Sequence, residues 1–136
     1  MILLDAYALI SFLVGGAAAS QVGGIMRQGD SAVATANLVE TLDVSERVHG
    51  LPVARAMETL EPLFETSVSL VPLDRRIARR AAAIRARHYH RVDRPISLAD
   101  AVLLASAHPS DRIATPDPDV LAIAQAEAIV TLSLPL

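Results

Sequence analysis

The sequence predicts an α/β fold in which a mostly parallel sheet is covered by helices on both faces. Short apolar runs alternate with segments that have helical periodicity and helix-capping residues. Most of these runs lack polar alternation, which is typical of parallel strands buried on both faces. With 136 residues, of which 52% are hydrophobic and 20% charged, the chain is expected to form one domain, residues 1–136, with a substantial core.

The first strand and two helices are expected before residue 30. Residues 2–4 are three successive apolar residues and predict a short buried strand. An apolar helix follows over residues 6–14, and a glycine pair separates it from a second helix over 17–28. A turn then leads to a second strand over residues 32–35.

The middle of the chain predicts two helices and one strand. Asn37 is expected to cap a helix that ends near residue 48, although contact with a substrate is the alternative role for this side chain. Pro52 suits the first turn of a helix that ends near Pro62. The β-branched run at residues 68–71 predicts the third strand.

The last part of the chain adds an arginine-rich helix capped by Asp74 and a helix opened by Ser97. Two further strands flank a final helix that begins at a proline, which favours the first helical position. The predicted ranges are helix 75–89, helix 97–108, strand 112–115, helix 118–126 and strand 129–132.

The charges are distributed very unevenly. The net charge is −3 and all basic residues are arginines, but eight arginines and one aspartate give residues 75–94 a formal charge of +7, so the rest carries −10. Contact with phosphates or with an acidic partner is one interpretation of this segment, and a solvated helix face is the other. The helical candidates are Arg75, Arg76, Arg79, Arg80, Arg85 and Arg87. Arg85 falls on the apolar side, where we expect it to pair with a carboxylate, either at the pocket or at a subunit interface.

Missing residue types exclude several classes of protein. The chain has no cysteine, which excludes disulfides, a thiolate nucleophile and Cys-ligated metals, and is typical of a reducing cytosol, where we expect the protein. Residues 6–26 are uncharged, but Asp5 stands where an export signal would have basic residues, and four glycines weaken a membrane span. We therefore expect a buried strand and helix there, with no membrane partner.

Five carboxylates lie where an apolar run gives way to a helix: Asp5, Glu40, Asp100, Asp117 and Asp119. Helix capping explains several of them, because Ser97 with Asp100 has capping-box spacing and Asp117 precedes a proline. Asp5 is harder to explain structurally, since an unpaired carboxylate in an apolar run is costly. Such junctions converge on one edge of a parallel sheet, so we expect an acidic pocket that binds a hard divalent cation.

Four segments in chain order resemble the motifs of PIN-domain ribonucleases. They are Leu-Leu-Asp-Ala-Tyr-Ala-Leu-Ile at 3–10, Thr-Ala-Asn-Leu-Val-Glu at 35–40, Ser-Leu-Ala-Asp-Ala at 97–101 and Ala-Thr-Pro-Asp-Pro-Asp at 114–119. The length and compactness resemble a VapC-type toxin of a bacterial toxin–antitoxin pair. Tyr7 departs from the family pattern, in which a small hydroxyl residue helps to position the metal shell, and Ala6 supplies no hydroxyl either.

The resemblance implies a three-layer α/β/α PIN-like fold and hydrolysis of RNA phosphodiester bonds that depends on Mg²⁺ or Mn²⁺. Asp5, Asp100 and Asp117 would hold the principal metal, while Glu40 and Asp119 would support a second metal or orient the attacking water; Asp117 and Asp119 could exchange roles. Thr115 is a candidate hydroxyl supporting this shell. The resemblance also implies a homodimer and a small antitoxin whose C-terminal segment blocks the acidic pocket.

Physical chemistry supports a metal site independently of the resemblance. Carboxylates packed together repel each other unless some are protonated or a cation neutralises them, and Mg²⁺ accepts phosphate oxygens while keeping several waters. Phosphotransfer folds with acidic pockets ordinarily use a lysine beside the aspartates, and this chain has none. The remaining alternative is a non-catalytic RNA- or protein-binding module in which the acids only cap helices.

Overall fold

Five parallel strands form a single sheet in the computed structural model, which describes residues 1–136. The strands are β1 (Ile2–Leu4), β2 (Ser31–Ala34), β3 (Val68–Val71), β4 (Arg112–Thr115) and β5 (Val130–Ser133). Their order across the sheet is β3-β2-β1-β4-β5, and every neighbouring pair is parallel. The predicted α/β class is therefore confirmed, and the sheet is parallel throughout.

Seven helices cover the two faces of this sheet. They are α1 (Ala6–Val14), α2 (Ala19–Arg27), α3 (Thr35–Arg47), α4 (Val53–Thr66), α5 (Arg75–His88), α6 (Leu98–Ser106) and α7 (Pro118–Ala126). One apolar core joins the sheet to α5, α6 and α7, and a second core joins it to α1, α2 and α4. The molecule thus has the three-layer α/β/α architecture of a PIN-like domain.

The central strand β1 shows how the sequence creates these two cores. Side chains alternate between the faces of a strand, so Leu3 packs into the core with α6 while Ile2 and Leu4 pack into the core with α1. All three residues are buried, which explains why β1 has no polar position. Leu3 pairs in register with Ala32 of β2 and Ile113 of β4.

The strand order reverses direction at β1. The chain proceeds from β1 through β2 to β3 on one side, then crosses to β4 and β5 on the other side. In open parallel sheets, ligands bind outside the carboxyl ends of the strands at such a reversal. The topology alone therefore directs attention to the residues that follow β1 and β4.

Most predicted elements agree with the structure, but Pro62 does not end a helix. Strands β1, β3 and β4 and helices α1 and α7 have the predicted bounds, and the others differ mainly by one to three residues. Helix α4 continues through Pro62 to Thr66. Pro62 cannot donate to the carbonyl of Glu58, but both residues are exposed, so water can solvate that carbonyl and the helix persists.

The predicted capping role of Asn37 is wrong. Helix α3 begins at Thr35 because β2 ends one residue earlier than expected, and its N-cap is Ala34, which makes no side-chain cap bond. Asn37 is fully buried, which also excludes it from direct substrate contact. Its Nδ2 donates to the carbonyl of Ala99 at 3.5 Å, so this side chain connects α3 to α6.

The uncharged N-terminal segment forms two short helices. No single helix is long and apolar enough to cross a membrane; α1 and α2 together have the required length and composition but are bent by 107° relative to each other. Gly15, with φ +72°, forms the left-handed cap of α1.

Candidate active site

A pocket of about 400 Å³ opens at the carboxyl edge of the sheet, where the strand order reverses. Four predicted acids line it: Asp5, Glu40, Asp100 and Asp117. They come from four separate junctions along the chain, so the fold assembles the pocket that the motifs predicted. Asp119 is not among its lining residues.

Asp5 follows β1 directly and caps helix α1. Its Oδ1 accepts a hydrogen bond from the backbone N–H of Ala8 at 2.7 Å, and the residue is only 7% exposed. The same carboxylate therefore has a structural role and faces the pocket. Capping and pocket formation are compatible because both place the acid at the carboxyl end of a strand.

Asp100 is held by the predicted capping box. Its Oδ2 accepts from the backbone N–H of Ser97 at 3.0 Å, while Ser97 Oγ accepts from the N–H of Asp100 at 3.0 Å. This reciprocal pair restricts the Asp100 side chain to one orientation. The Oδ1 of Asp100 makes no hydrogen bond within the protein, so it can bind a ligand in the pocket.

Asp117 follows β4 and caps helix α7. Its Oδ1 accepts from the backbone N–H groups of Asp119 and Val120 at 2.8 and 3.4 Å, and its Oδ2 has no protein partner. Thr115, the predicted supporting hydroxyl, is fully buried, and its Oγ1 accepts from the N–H of Asp117 at 3.1 Å. Thr115 thus fixes the backbone that carries Asp117.

Burial raises the pKa of Asp5 to about 7. Hydrogen bonds from Thr115 and Ala8 lower this pKa, while the charges of Asp100 and Asp117 raise it further. At neutral pH, a buried carboxylate in this position retains a proton to a large extent unless a cation neutralises it. The elevated pKa therefore indicates that no cationic group of the protein neutralises the Asp5 carboxylate.

Two other pocket acids show the same effect. Burial raises the pKa of Glu40, and the charges of Asp100 and Asp117 add to the shift. Burial likewise raises the pKa of Asp100; the hydrogen bonds of Ser97 oppose the shift, and the charges of Asp117 and Asp119 reinforce it. Asp119 therefore acts on the pocket electrostatically although it does not line it.

The donor set fits a hydrated Mg²⁺ or Mn²⁺ ion. No three acidic or histidine side chains lie close enough together to ligate one ion directly. Mg²⁺ does not require this, because it is commonly held by one or two carboxylates and keeps several waters. The unpartnered oxygens of Asp100 and Asp117 can serve as such ligands. Burial raises the pKa of the neighbouring Asp5 and Glu40, so their charged forms are disfavoured until a cation neutralises them.

The structure divides the six candidate arginines of α5 into two groups. Arg75, Arg76 and Arg79 are exposed and form no ion pair, whereas Arg80 donates to the carbonyls of Ala105 and Ala107. Arg87 forms an ion pair with Glu127, which follows α7. The carboxylate of Glu127 also contacts His88.

The prediction that Arg85 pairs with a carboxylate is not met within this chain. Its Nε donates to the carbonyl of Ile96 at 3.2 Å, and its guanidinium lies 4.3 Å from the ring centroid of Tyr89. A backbone carbonyl and an aromatic face satisfy this half-buried cation without a counter-charge.

Sequence reasoning missed the side of the pocket formed by the last residues. Tyr7 lines the pocket, and its hydroxyl donates to the carbonyl of Pro135 at 2.8 Å, which places Leu136 at the pocket wall. No motif indicated a role for residues 135–136. The position of Tyr7, in the first turn of α1 and two residues from Asp5, was the available signal, because this turn lies at the same edge of the sheet.

Comparisons with known proteins agree with this geometry. A sequence model of the PIN-domain family matches residues 2–128. Among solved structures, the chain is similar to a chain of FitAcB from Neisseria gonorrhoeae, with 25% identity, a TM-score of 0.66 and coverage of 98% and 97% of the two chains.

Two further structures share the fold. A chain of FitAB bound to an IR36 DNA fragment has 22% identity, a TM-score of 0.66 and coverage of 98% of this chain and 94% of that one. A chain of a toxin–antitoxin complex from Klebsiella pneumoniae has 18% identity, a TM-score of 0.64 and coverage of 90% and 91%. No curated protein sequence matches the chain.

Proposed function

Because this chain belongs to the PIN-domain family, we propose that it is a metal-dependent endoribonuclease and the toxin of a VapBC-type toxin–antitoxin pair. PIN domains are generally nucleases, and the similarity to chains of toxin–antitoxin complexes supports the biological role. The observation that carries the proposal is the pocket in which Asp5, Glu40, Asp100 and Asp117 meet at the reversal of strand order. Ionised carboxylates packed in this way repel each other, and a bound divalent cation would neutralise that repulsion.

Each acid has a role in the proposed hydrolysis. Asp5, Asp100 and Asp117 would hold a hydrated Mg²⁺ or Mn²⁺ ion partly through its bound waters, because no three acids lie close enough together to ligate one ion directly. Glu40 and Asp119 would support a second ion or orient the attacking water. The bound metal lowers the pKa of water and stabilises negative charge on the phosphate oxygens.

The protein scaffold restricts the geometry of these ligands. The capping box at Ser97 and the hydrogen bond from Asp117 N–H to Thr115 hold two ligands in fixed orientations, as a metal shell requires. Glu40 is half-buried on α3 and lines the pocket, where it can accept a hydrogen bond from a water.

An antitoxin partner is supported by an apolar cleft beside the pocket. The cleft, about 500 Å³, lies between α3 and α4 and is lined by Val39, Leu42 and Val53 together with charged residues. Val39 is 68% exposed and precedes Glu40 directly, so a segment bound there could continue over the acidic pocket. A homodimer also belongs to the proposal, and light scattering of the purified protein tests it.

Cleavage of total cellular RNA by the purified, antitoxin-free protein tests the nuclease proposal. We expect discrete fragments with Mg²⁺ or Mn²⁺, none with EDTA, and none from the Asp100→Asn variant. An asparagine at this third helical position keeps a side-chain oxygen that can accept from the N–H of Ser97, so this variant should fold and lose only its ligand charge.

The matched control is Asp111→Asn. Asp111 is as buried as Asp5, at 5% exposed, but it binds the N-terminal amine and the N–H of His108 away from the pocket. This variant should cleave RNA like the parent protein. Folded, metal-supplied protein that binds RNA but cleaves no fraction of it would instead favour the non-catalytic binding module.

A further inference from the structure

The first two turns of α5 form a concentrated basic surface. A cavity of about 700 Å³ is lined by Asp74, Arg75, Arg76, Arg79, Arg80 and Ala83. We call the three exposed cations Arg75, Arg76 and Arg79 the arginine cluster. No acidic residue follows Asp74 in this first turn.

The positive charge of the arginine cluster is uncompensated within the protein. None of its three members forms an ion pair, and Asp74 is already engaged, because its Oδ1 accepts from the N–H of Ile77 at 2.8 Å. Cations at a helix N-terminus oppose the helix dipole, which is itself positive at that end. An anion bound in the cavity would remove this repulsion and meet the free N-terminal amides of α5.

Two other arginines of α5, Arg80 and Arg87, have structural roles that the arginine cluster lacks. Arg80 donates to Ala107 at 2.9 Å and to Ala105 at 3.3 Å, which satisfies carbonyls at the end of α6. Arg87 is paired with Glu127. The arginine cluster makes no such contacts, so packing and helix capping do not explain it.

The charge balance of the molecule favours RNA as the occupant. The net charge is −3, and the acidic pocket itself repels a polyanion. A nuclease with such a pocket needs cations elsewhere to bind its substrate. Guanidinium groups suit this purpose because they form paired hydrogen bonds with phosphate oxygens.

The position of the arginine cluster relative to the pocket is also suitable. The N–H of Leu73 donates to Thr35 Oγ1 at 3.2 Å, so α5 starts beside the start of α3, at the carboxyl edge that also holds the pocket. Strand β3, which leads into α5, is separated from β1 only by β2, or about 10 Å across the sheet. One RNA strand can therefore contact both places.

We infer that the arginine cluster is a second RNA-binding site, which holds backbone phosphates of the strand whose scissile bond lies in the acidic pocket. The inference rests on the proposed nuclease function. Contacts to phosphates carry no base identity, so this site supplies affinity and register but no sequence preference.

The test measures RNA binding without cleavage. A labelled, mixed-sequence single-stranded RNA is titrated with the Asp100→Asn protein, with and without Arg75→Gln, Arg76→Gln and Arg79→Gln together, from about 50 to 200 mM salt. Each phosphate contact on a single strand contributes about 0.7 to the slope of log affinity against log salt, so the triple variant should lose about 2 from that slope. In the active protein, the same substitutions should raise KM and leave kcat nearly unchanged.

The single variants Arg79→Gln and Arg87→Gln are the matched pair. They remove the same charge from the same helix, but Arg87 is already paired with Glu127, so only Arg79→Gln should weaken RNA binding and reduce the salt slope. Circular dichroism confirms that each variant is folded. Equal slopes in the two variants would indicate a general charge effect and overturn the inference.

The outcome also separates the two proposals. Unchanged affinity and slope in the triple variant would overturn the second site and leave the nuclease proposal intact, and binding of polyglutamate by the parent protein alone would then indicate an acidic protein partner. Arginine-dependent RNA binding by a protein that cleaves no RNA would support the second site as a place of RNA contact and overturn the nuclease proposal.

Discussion

The acidic pocket and the arginine cluster are both groups of like charges, but the protein holds them in opposite ways. The pocket acids converge from four separate parts of the chain, and several are fixed by backbone hydrogen bonds and partly buried. The cluster arginines share one helix, point into solvent and have no partners. Convergence and burial raise the pKa of the acids, with Asp5 reaching about 7.

This difference indicates what each region can bind. Fixed, half-desolvated carboxylates favour a small ion of high charge density, because such an ion can neutralise several of them at once. Mobile, hydrated guanidinium groups favour an extended polyanion, since each can follow a separate phosphate. The following variants are designed to break or sharpen this contrast.

The largest effect is expected for Asp117. Asp117→Asn should lower cleavage by more than about 100-fold because it removes a pocket ligand. Asp119→Asn should lower cleavage by about 10-fold, since Asp119 does not line the pocket and would only support a second ion or orient the attacking water. Single-turnover cleavage at saturating RNA measures both. A greater loss in Asp119→Asn than in Asp117→Asn would show that the two acids exchange roles when metal binds.

The buried charge of Asp5 should make the metal-free protein less stable as the pH rises. Its pKa is about 7 in the folded state against 3.8 when unfolded, so the folded state binds the proton more tightly. The stabilisation is complete below about pH 4 and is lost progressively up to about pH 7, by about 2–4 kcal/mol. Urea unfolding in EDTA measures it as the difference between the parent protein and Asp5→Asn.

Asparagine does not titrate, so Asp5→Asn should lack this component of the pH dependence. Mg²⁺ should restore stability to the parent protein mainly above pH 7, where the Asp5 carboxylate is charged. If the free energy of unfolding in EDTA depended on pH in the same way for both proteins, the explanation by a buried Asp5 charge would be contradicted.

A smaller effect is expected for the support beneath the pocket. Thr115→Val removes the hydroxyl that accepts from Asp117 N–H and should lower cleavage by about 10-fold to 100-fold. Thr41→Val is the control, because Thr41 is equally buried and also hydrogen-bonded, but to the carbonyl of Asn37. Equal activity losses in the two variants would assign the effect of Thr115 to stability alone.

The smallest effect compares two neighbouring arginines. Arg80→Gln should destabilise the fold by about 1–2 kcal/mol because two carbonyls at the end of α6 lose a charged donor. Arg79→Gln should change the free energy of unfolding by less than about 0.5 kcal/mol, since this side chain is exposed and unpaired. Thermal or urea unfolding measures both variants. Similar losses in the free energy of unfolding would show that Arg80 has no greater structural role than Arg79.

The acids of the site could be predicted because their signals are local. Asp5 and Asp117 each sit at a strand–helix junction with capping chemistry, and parallel strands bring such junctions to one edge, while Asp100 is marked by the capping box that opens α6. Three of the five strands matched their predicted bounds for the same reason: short apolar runs between turn residues leave little choice of position.

The remaining features depend on contacts that a single sequence does not display. Arg80 and Arg79 are adjacent and chemically identical, and only the position of the end of α6 decides which one is held. The burial of Asn37 follows from its contact with Ala99, which is distant in the chain. The contact of Tyr7 with Pro135 joins the two ends of the chain in the same way.

The central place of β1 has a consequence for how the protein matures. Its partner β4 lies far along the chain from β1, so Asp5 and Asp117 come together only after the whole segment from β1 through β4 has been synthesised and the long-range pairing has formed. Pairings of this kind form slowly, because the intervening chain must first be ordered. An incomplete or partly folded chain therefore lacks the assembled pocket, and a cell that makes this protein is exposed to a complete acidic pocket only after folding has finished.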